Sequence, residues 1–187
     1  METTAHDKWW RWQKNRAKSQ NYTYKYAQPP HNSNLNNACQ KVSNEWLTIG
    51  GHQERGFALG YFNASYLQKC DIHLLTNEEE EIVAFCNQLP RFTDSHTISI
   101  DMLRHIPSAD NAMSFLLYKS IEHLQPQASY FDLGFVPFAN TDNPSVRIAK
   151  ILSGDRFSAK GLMQFKNKFK PDWQPVHLVY KGDLGDV

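Results

Sequence analysis

The stretch Ile72-His-Leu-Leu-Thr-Asn-Glu-Glu-Glu-Glu-Ile-Val-Ala-Phe-Cys-Asn-Gln-Leu89 decides the fold. Two apolar runs, 72–75 and 82–89, flank a polar tip at 77–81, a pattern typical of two strands joined by a solvated hairpin turn. A third strand is predicted over Thr97–Asp101. We therefore expect three consecutive antiparallel strands near the middle of the chain.

Helices and single strands surround these three strands. Upstream, the sequence predicts a helix from the N-cap Asp7 to Lys18, a strand over Tyr22–Tyr26, and helices over Leu35–Leu47 and Ala64–Cys70. Downstream, it predicts a helix over Ala112–Leu124 capped by Asp110 or Asn111, a strand over Ser129–Leu133, helices over Ser145–Leu152 and Ala159–Phe169, and a strand over Val176–Tyr180. This order resembles the GNAT acyltransferase fold, an α/β (α+β) arrangement in which helices flank a central mixed, mostly antiparallel sheet.

The length and composition indicate one globular domain of the size usual for an α/β fold. The chain has 187 residues, of which 41% are hydrophobic, enough for a sizeable core. Its three cysteines, Cys39, Cys70 and Cys86, form no CxxC pair, which favours free thiols in a reducing compartment. The eight histidines lack metal-ligand spacing, so no metal is expected. No apolar run is long enough to cross a bilayer.

Positive charge is concentrated in two segments. Residues 8–25 contain six Lys or Arg and no acid, and residues 147–170 contain seven against Asp155 alone, although the whole chain carries only +1. This segregation favours a basic face for a polyanion such as RNA or an anionic lipid; the alternative is two solvated helix faces. Trp9, Trp10 and Trp12 could stack on bases, lie at a lipid interface or be buried against a neighbouring domain.

The segment after the third predicted strand argues against coenzyme A. A coenzyme A enzyme of this fold needs a Gly-rich loop there, because backbone N–H groups must approach the pyrophosphate closely. The segment Met102–Asn111 contains no glycine. We expect a different acyl donor and no cofactor.

Several motifs resemble the C-terminal catalytic region of the phosphatidylglycerol lysyltransferase family. They are Ser99-Ile-Asp-Met-Leu-Arg104, Tyr130-Phe-Asp-Leu-Gly-Phe-Val-Pro-Phe138, Gly161-Leu-Met-Gln-Phe-Lys-Asn-Lys-Phe169 with Trp173-Gln-Pro175, Ser43-Asn-Glu-Trp-Leu47 and Gly56-Phe-Ala-Leu-Gly-Tyr-Phe-Asn63. The resemblance implies transfer of an amino acid, of lysine or alanine type, from aminoacyl-tRNA to phosphatidylglycerol at the inner face of the membrane. It also implies a linking helix over 1–20, a GNAT-like domain over 21–181 and a tail over 182–187. The family's first GNAT unit has no counterpart here, so a second GNAT unit or a homo-oligomer partner is expected.

The resemblance also suggests the site residues. Asp101 can accept from an amino-acid ammonium, and the planar fork of Arg104 can hold phosphate or carboxylate, although the two could form an ordinary strand-end pair. Lys166 corresponds to a family lysine that would neutralise a phosphate or oxyanion. The further candidates for substrate binding are Lys168, Asp132, Lys160 and Arg147. Asp132 could alternatively be a general base or structural.

Three positions depart from the family pattern. Val146 and Gln174 stand where relatives tend to have Glu, and Val176 stands where they tend to have Arg. If these groups select the aminoacyl moiety, the amino acid differs or catalysis is lost. A non-catalytic GNAT-like module, or a peptidoglycan-type aminoacyl transferase, that binds tRNA or anionic lipid is therefore the alternative function.

Overall fold

The computed structural model describes residues 8–50, 52, 54, 61–89, 96–136 and 159–176. The chain divides into two compact units, residues 1–134 and residues 135–187. The predicted Asp7 cap, the helix over 145–152, most of the strand over 176–180 and the tail over 182–187 lie outside the described residues.

Most of the predicted elements are confirmed to within a few residues. The described part of the first unit contains, in chain order, α1 (Lys8–Ser19), β1 (Thr23–Ala27), α2 (Ser33–Thr48), α3 (Ala64–Leu67), β2 (Asp71–Thr76), β3 (Ile82–Gln88), β4 (Thr97–His105), α4 (Ala112–Leu124) and β5 (Tyr130–Asp132). The described part of the second unit contains α5 (Ala159–Asn167).

One local prediction is wrong, and another is confirmed only in part. β4 does not end at Asp101: it continues to His105, because its second half pairs with β3 through Ala84 opposite His105. The segment 102–105 is therefore strand and not loop. Asn111 occupies the N-cap position of α4, as predicted, but its backbone is left-handed (φ 56°) and its side chain makes no capping hydrogen bond.

The five strands form one sheet in the order β1-β2-β3-β4-β5. The first four are antiparallel neighbours, and β5 lies parallel to β4, to which α4 connects it. A parallel pair needs such a crossover connection. The predicted fold class, a GNAT-like α/β fold with a mixed, mostly antiparallel sheet, is confirmed.

Helices cover both faces of this sheet. Consecutive strand residues point to opposite faces, and β3 shows it: Phe85 packs in a core cluster with Cys39 and Val42 of α2, whereas the Cys86 thiol lies 3.8 Å from the Ser120 hydroxyl of α4. α2 and α4 therefore lie on opposite faces. All three cysteines are free, as predicted, and all three are buried.

The N-terminal helix α1 packs against α4. The Trp10 ring, 1% exposed, lies with its centroid 4.8 Å from that of Tyr118. Burial is thus the role of Trp10, whereas Trp12 is 49% exposed. Among the described residues, no helix is long and apolar enough to span a bilayer.

A candidate active site on the bulged strand

β4 contains a bulge that determines where its charged side chains point. Cys86 of β3 lies opposite Leu103, and Gln88 lies opposite Ile100. Asn87 therefore faces two residues of β4, Asp101 and Met102. An extra residue of this kind resets the alternation of side chains and re-aims one of them.

The bulge brings Asp101 and Arg104 to the same face of the sheet. In a regular strand, residues three apart point to opposite faces. Here the Asp101 carboxylate accepts from Tyr66 at the end of α3, and Arg104 lies against Trp46 of α2, on the face that α2 covers. Burial lowers the pKa of Arg104, and the charge of Asp101 is among those that oppose this change, so the two groups belong to one electrostatic site.

This site lies where β4 and β5 separate. Their pairing covers Thr97 to Ser99 of β4 and ends at Asp132 of β5, whereas β4 continues for six residues more. Asp101 and Arg104 both lie in this second half, on which no further strand pairs with that edge among the described residues. Asp101 and Arg104 therefore lie beside an edge of β4 that β5 leaves open.

Arg104 is a buried cation stacked on an aromatic ring. It is 6% exposed, and its guanidinium carbon lies 3.6 Å from the centroid of the Trp46 ring. One of its terminal nitrogens lies 3.8 Å from a carboxylate oxygen of Glu54. Burial lowers the pKa of Arg104, and the charges of Glu54 and Asp101 oppose that change. Because stacking uses the flat face of a guanidinium, it leaves the in-plane N–H groups oriented for hydrogen bonds.

The other face of Trp46 carries His52. The two ring centroids are 4.1 Å apart with an interplanar angle of 22°. Two groups this close to one ring centre would collide on a shared face, so Arg104 and His52 sandwich the indole. His52 Nδ1 lies 3.1 Å from the Trp46 carbonyl oxygen, which only accepts, so Nδ1 carries the proton. Burial, then His105 and Arg104, lower the pKa of His52.

A half-buried hydrogen-bond chain holds Asp101. The Tyr66 hydroxyl donates to Asp101 Oδ2 over 2.9 Å, and Asn87 Nδ2 donates to the Tyr66 oxygen over 3.1 Å. Burial, followed by the charge of Asp101, raises the pKa of Tyr66, which therefore stays a protonated donor.

Asp132, the predicted substrate-binding residue or base on β5, has local partners for both carboxylate oxygens. Oδ2 accepts from the Ser99 hydroxyl over 3.2 Å, and Oδ1 accepts from the Gly134 N–H over 2.8 Å. These bonds join the paired ends of β4 and β5 and close the turn that follows. These bonds favour the structural alternative, and a role of Asp132 in substrate binding stays a prediction.

The predicted lysines belong to the second unit. Lys166 is 4% exposed and donates from Nζ to the Phe135 carbonyl over 3.0 Å. Lys160, in the first turn of α5, is exposed, as is Lys168, whose Nζ lies 5.6 Å from the centroid of the Phe165 ring. Arg147 lies outside the described residues. The roles of all four residues stay predictions.

Sequence reasoning missed Trp46, His52, Glu54, Tyr66 and Asn87 as site residues. Trp46 lies in the motif Ser43–Leu47, which resembles the family, and this was the available signal. The other four come from three segments, the one after α2, α3 and β3, which only the folded chain brings to Asp101 and Arg104. Within the described parts of the chain, no group of three His, Cys, Asp or Glu side chains could hold a metal ion.

Residues 6–180 match the family described as phosphatidylglycerol lysyltransferase, C-terminal. The chain belongs to this family. It is 33% identical over 177 residues to the phosphatidylglycerol lysyltransferase of Bacillus subtilis (strain 168), covering 89% of this chain and 20% of that protein. It is 30% identical to the phosphatidylglycerol lysyltransferase of Staphylococcus aureus (strain MSSA476), and the match covers 87% of this chain and 20% of that protein. The chain thus spans about a fifth of the length of these relatives.

Two solved structures of the family share this fold. L-PGS from Bacillus licheniformis superposes with a TM-score of 0.66 at 35% identity, over 85% of this chain and 49% of that one. A C-terminal domain assigned to a lysylphosphatidylglycerol synthetase of Agrobacterium fabrum superposes with a TM-score of 0.70 at 28% identity. The match covers 88% of this chain and 51% of that one. Members of the phosphatidylglycerol lysyltransferase family therefore carry the architecture described above.

Proposed function

We propose that this chain is an aminoacyltransferase unit that moves an amino acid from aminoacyl-tRNA to the glycerol hydroxyl of phosphatidylglycerol. The observation that carries the proposal is the placement of Asp101 and Arg104 on one face of the half of β4 that pairs with β3 but not with β5. Membership of the phosphatidylglycerol lysyltransferase family supports the lipid as acceptor.

The two charges suit the two ends of the donor. An aminoacyl ester presents an ammonium beside its carbonyl, and a carboxylate such as Asp101 binds ammonium through charge-assisted hydrogen bonds. Arg104, fixed flat on Trp46, can direct its N–H groups to a phosphate or to the oxygen that becomes negative during acyl transfer. The half-buried position of Asp101 strengthens this electrostatic recognition relative to bulk water.

The reaction is an ester exchange. The lipid hydroxyl oxygen attacks the ester carbonyl, a tetrahedral intermediate forms, and the bond to the ribose oxygen of the tRNA breaks. The proton that leaves the lipid hydroxyl returns to the ribose oxygen through a general base. Because the aminoacyl ester is already an activated donor, no cofactor is required. Lys166 is assigned to the oxyanion, and Lys168, Lys160, Arg147 and Asp132 to substrate binding.

The partners follow from these substrates. The basic segments 8–25 and 147–170 suit the phosphates of tRNA and of an anionic bilayer. The proposed transfer from tRNA to the lipid takes place at the inner face of the cell membrane. A second GNAT unit or a second copy of this chain would complete the site.

Label transfer tests the proposal. The protein is incubated with radiolabelled lysyl-tRNA or alanyl-tRNA and phosphatidylglycerol vesicles, and label is counted in the extracted lipid. The proposal expects label with one of the two tRNAs, strongly reduced by Asp101→Asn and unchanged by Glu79→Gln, an exposed carboxylate in the β2–β3 turn. Lipid labelling that survives Asp101→Asn contradicts the assigned role of Asp101.

A non-catalytic module, or a peptidoglycan-type aminoacyl transferase, is the second candidate, and the family departures favour it. Gln174 is exposed and donates its amide to Asp172, and Val176 is 77% exposed. Neither side chain supplies the carboxylate or guanidinium expected there from the family pattern. Vesicle or tRNA binding without lipid label would select the binding module, and label transferred to a peptidoglycan precursor would select the other transferase.

A further inference from the structure

We propose that Asn87 is a positioning residue that builds the bulge in β4 and sets the direction of the hydrogen bond between Tyr66 and Asp101. Asn87 is fully buried and lies on β3, opposite the two bulged residues of β4. The inference rests on the proposed function, because it assigns a role at the same site. Asn87 acts on the substrate only through Asp101.

The side-chain carbonyl of Asn87 replaces part of the strand ladder. Its Oδ1 accepts from the backbone N–H of Met102 over 2.9 Å, at the position where the register shifts. A bulge interrupts the ladder, and a buried N–H without an acceptor is costly. Asn87 supplies that acceptor. It therefore stabilises the bulge of β4 that places Asp101 on the same face of the sheet as Arg104.

The same bond fixes which way the amide is oriented. A backbone N–H can only donate, so the atom facing Met102 must be the amide oxygen. The amide nitrogen therefore faces Tyr66 and Cys70, donating to the hydroxyl over 3.1 Å, with the Cys70 sulfur at 3.5 Å.

The direction of the next bond follows from this one. The Tyr66 oxygen accepts a hydrogen bond from the Asn87 amide. The single hydroxyl proton of Tyr66 is therefore left to donate to Asp101 Oδ2, which as a carboxylate oxygen only accepts. Asn87 thus imposes one direction on the whole chain and leaves Asp101 as its accepting end, the group to which the proposed function assigns the ammonium.

Asn87→Asp separates positioning from packing. Aspartate has nearly the same shape and keeps the acceptor for Met102, but in its ionised form it cannot donate to Tyr66. Protonated, it regains a donor, so lowering the pH should restore the chain. We expect the variant to bind lysine methyl ester about tenfold more weakly than the wild type at pH 8, with the deficit shrinking towards pH 5.5. Taking the ratio to the wild type at each pH cancels the titration of the ester itself.

The matched control is Ser120→Ala. It removes a fully buried polar group bonded to the Leu116 carbonyl on the opposite face of the sheet. It should bind the ester like the wild type at every pH. An Asn87→Asp variant that binds normally throughout, or whose deficit is the same at pH 8 and pH 5.5, overturns the proposal.

Two further measurements test the role of Asn87 in the absence of the ester. In Asn87→Asp, the carbon-13 shift of Tyr66 Cζ should follow pH as its hydroxyl partner changes, and a shift unaffected by pH overturns the inference. In a folded Asn87→Leu variant, hydrogen exchange of the Met102 amide should accelerate, whereas Asn87→Asp should retain its protection. If the wild type binds no ester, the proposed function fails, and these two readouts still decide the role of Asn87.

Discussion

The stack between Arg104 and Trp46 makes a quantitative prediction. Arg104→Met keeps a long apolar stem but removes the cation, and Trp46→Leu removes the ring. A cation–π contact contributes ~0.5–1 kcal/mol at an exposed site and ~2 kcal/mol when desolvated. With the guanidinium carbon 3.6 Å from the ring centroid and Arg104 only 6% exposed, the upper value applies. We expect a coupling free energy of about 2 kcal/mol in the double-mutant cycle.

The assay is urea unfolding of the wild type, both single variants and the double variant, followed by circular dichroism. The loss of the His52 stack on Trp46→Leu occurs in both arms of the cycle and cancels. As a control, Arg104→Met is paired with Trp12→Leu, whose ring is 49% exposed on α1 and lies near Arg16; that cycle should show no coupling. A coupling below about 0.5 kcal/mol for Arg104 with Trp46 would refute the stacked arrangement.

Three further predictions concern the stability and reactivity of the first unit. Burial and the nearby His123 lower the pKa of His73 from its ordinary 6.5 to about 4, so the unfolded chain binds more protons between these values. The free energy of unfolding should fall by about 3 kcal/mol as pH drops from 6.5 towards 4; a His73→Gln variant with an equally steep pH dependence contradicts this. Burial raises the pKa of Cys39 and of Cys86 to about 12, so neither thiol should react with a disulfide reagent at pH 8 until the protein unfolds, as a thiol titration with and without denaturant would show. Asn32→Ala removes the side chain that accepts from Leu35 N at the start of α2 and should cost about 1 kcal/mol by urea unfolding, whereas Asn32→Asp should cost little; equal losses would show that the cap is unimportant.

The hydrophobic periodicity of the sequence, together with its turn and cap residues, predicted most of the elements of the first unit. The apolar runs around the acidic tip gave β2 and β3 because strands with buried residues leave a strong local pattern. The helix over Ala112–Leu124 was located correctly for the same reason, since its buried stripe recurs at helical spacing.

The end of β4 and the geometry of the site could not be predicted locally. Nothing in Asp101-Met-Leu-Arg-His105 marks a bulge, because a bulge is defined by the partner strand, here by Asn87 and its side-chain bond to Met102. Regular alternation would have placed Asp101 and Arg104 on opposite faces. Their selection came from resemblance to a family, and their common face came from the folded sheet.

The central claim is that Asp101 and Arg104 form one recognition site for an aminoacyl ester. A crystal structure of the protein with lysine methyl ester tests it most directly. The account predicts that the α-ammonium nitrogen, the one beside the ester carbonyl, lies within about 3 Å of the Asp101 carboxylate, on the face of the sheet that carries Trp46 and Arg104. An ester bound with its ammonium away from Asp101, or on the α4 face of the sheet, would contradict it.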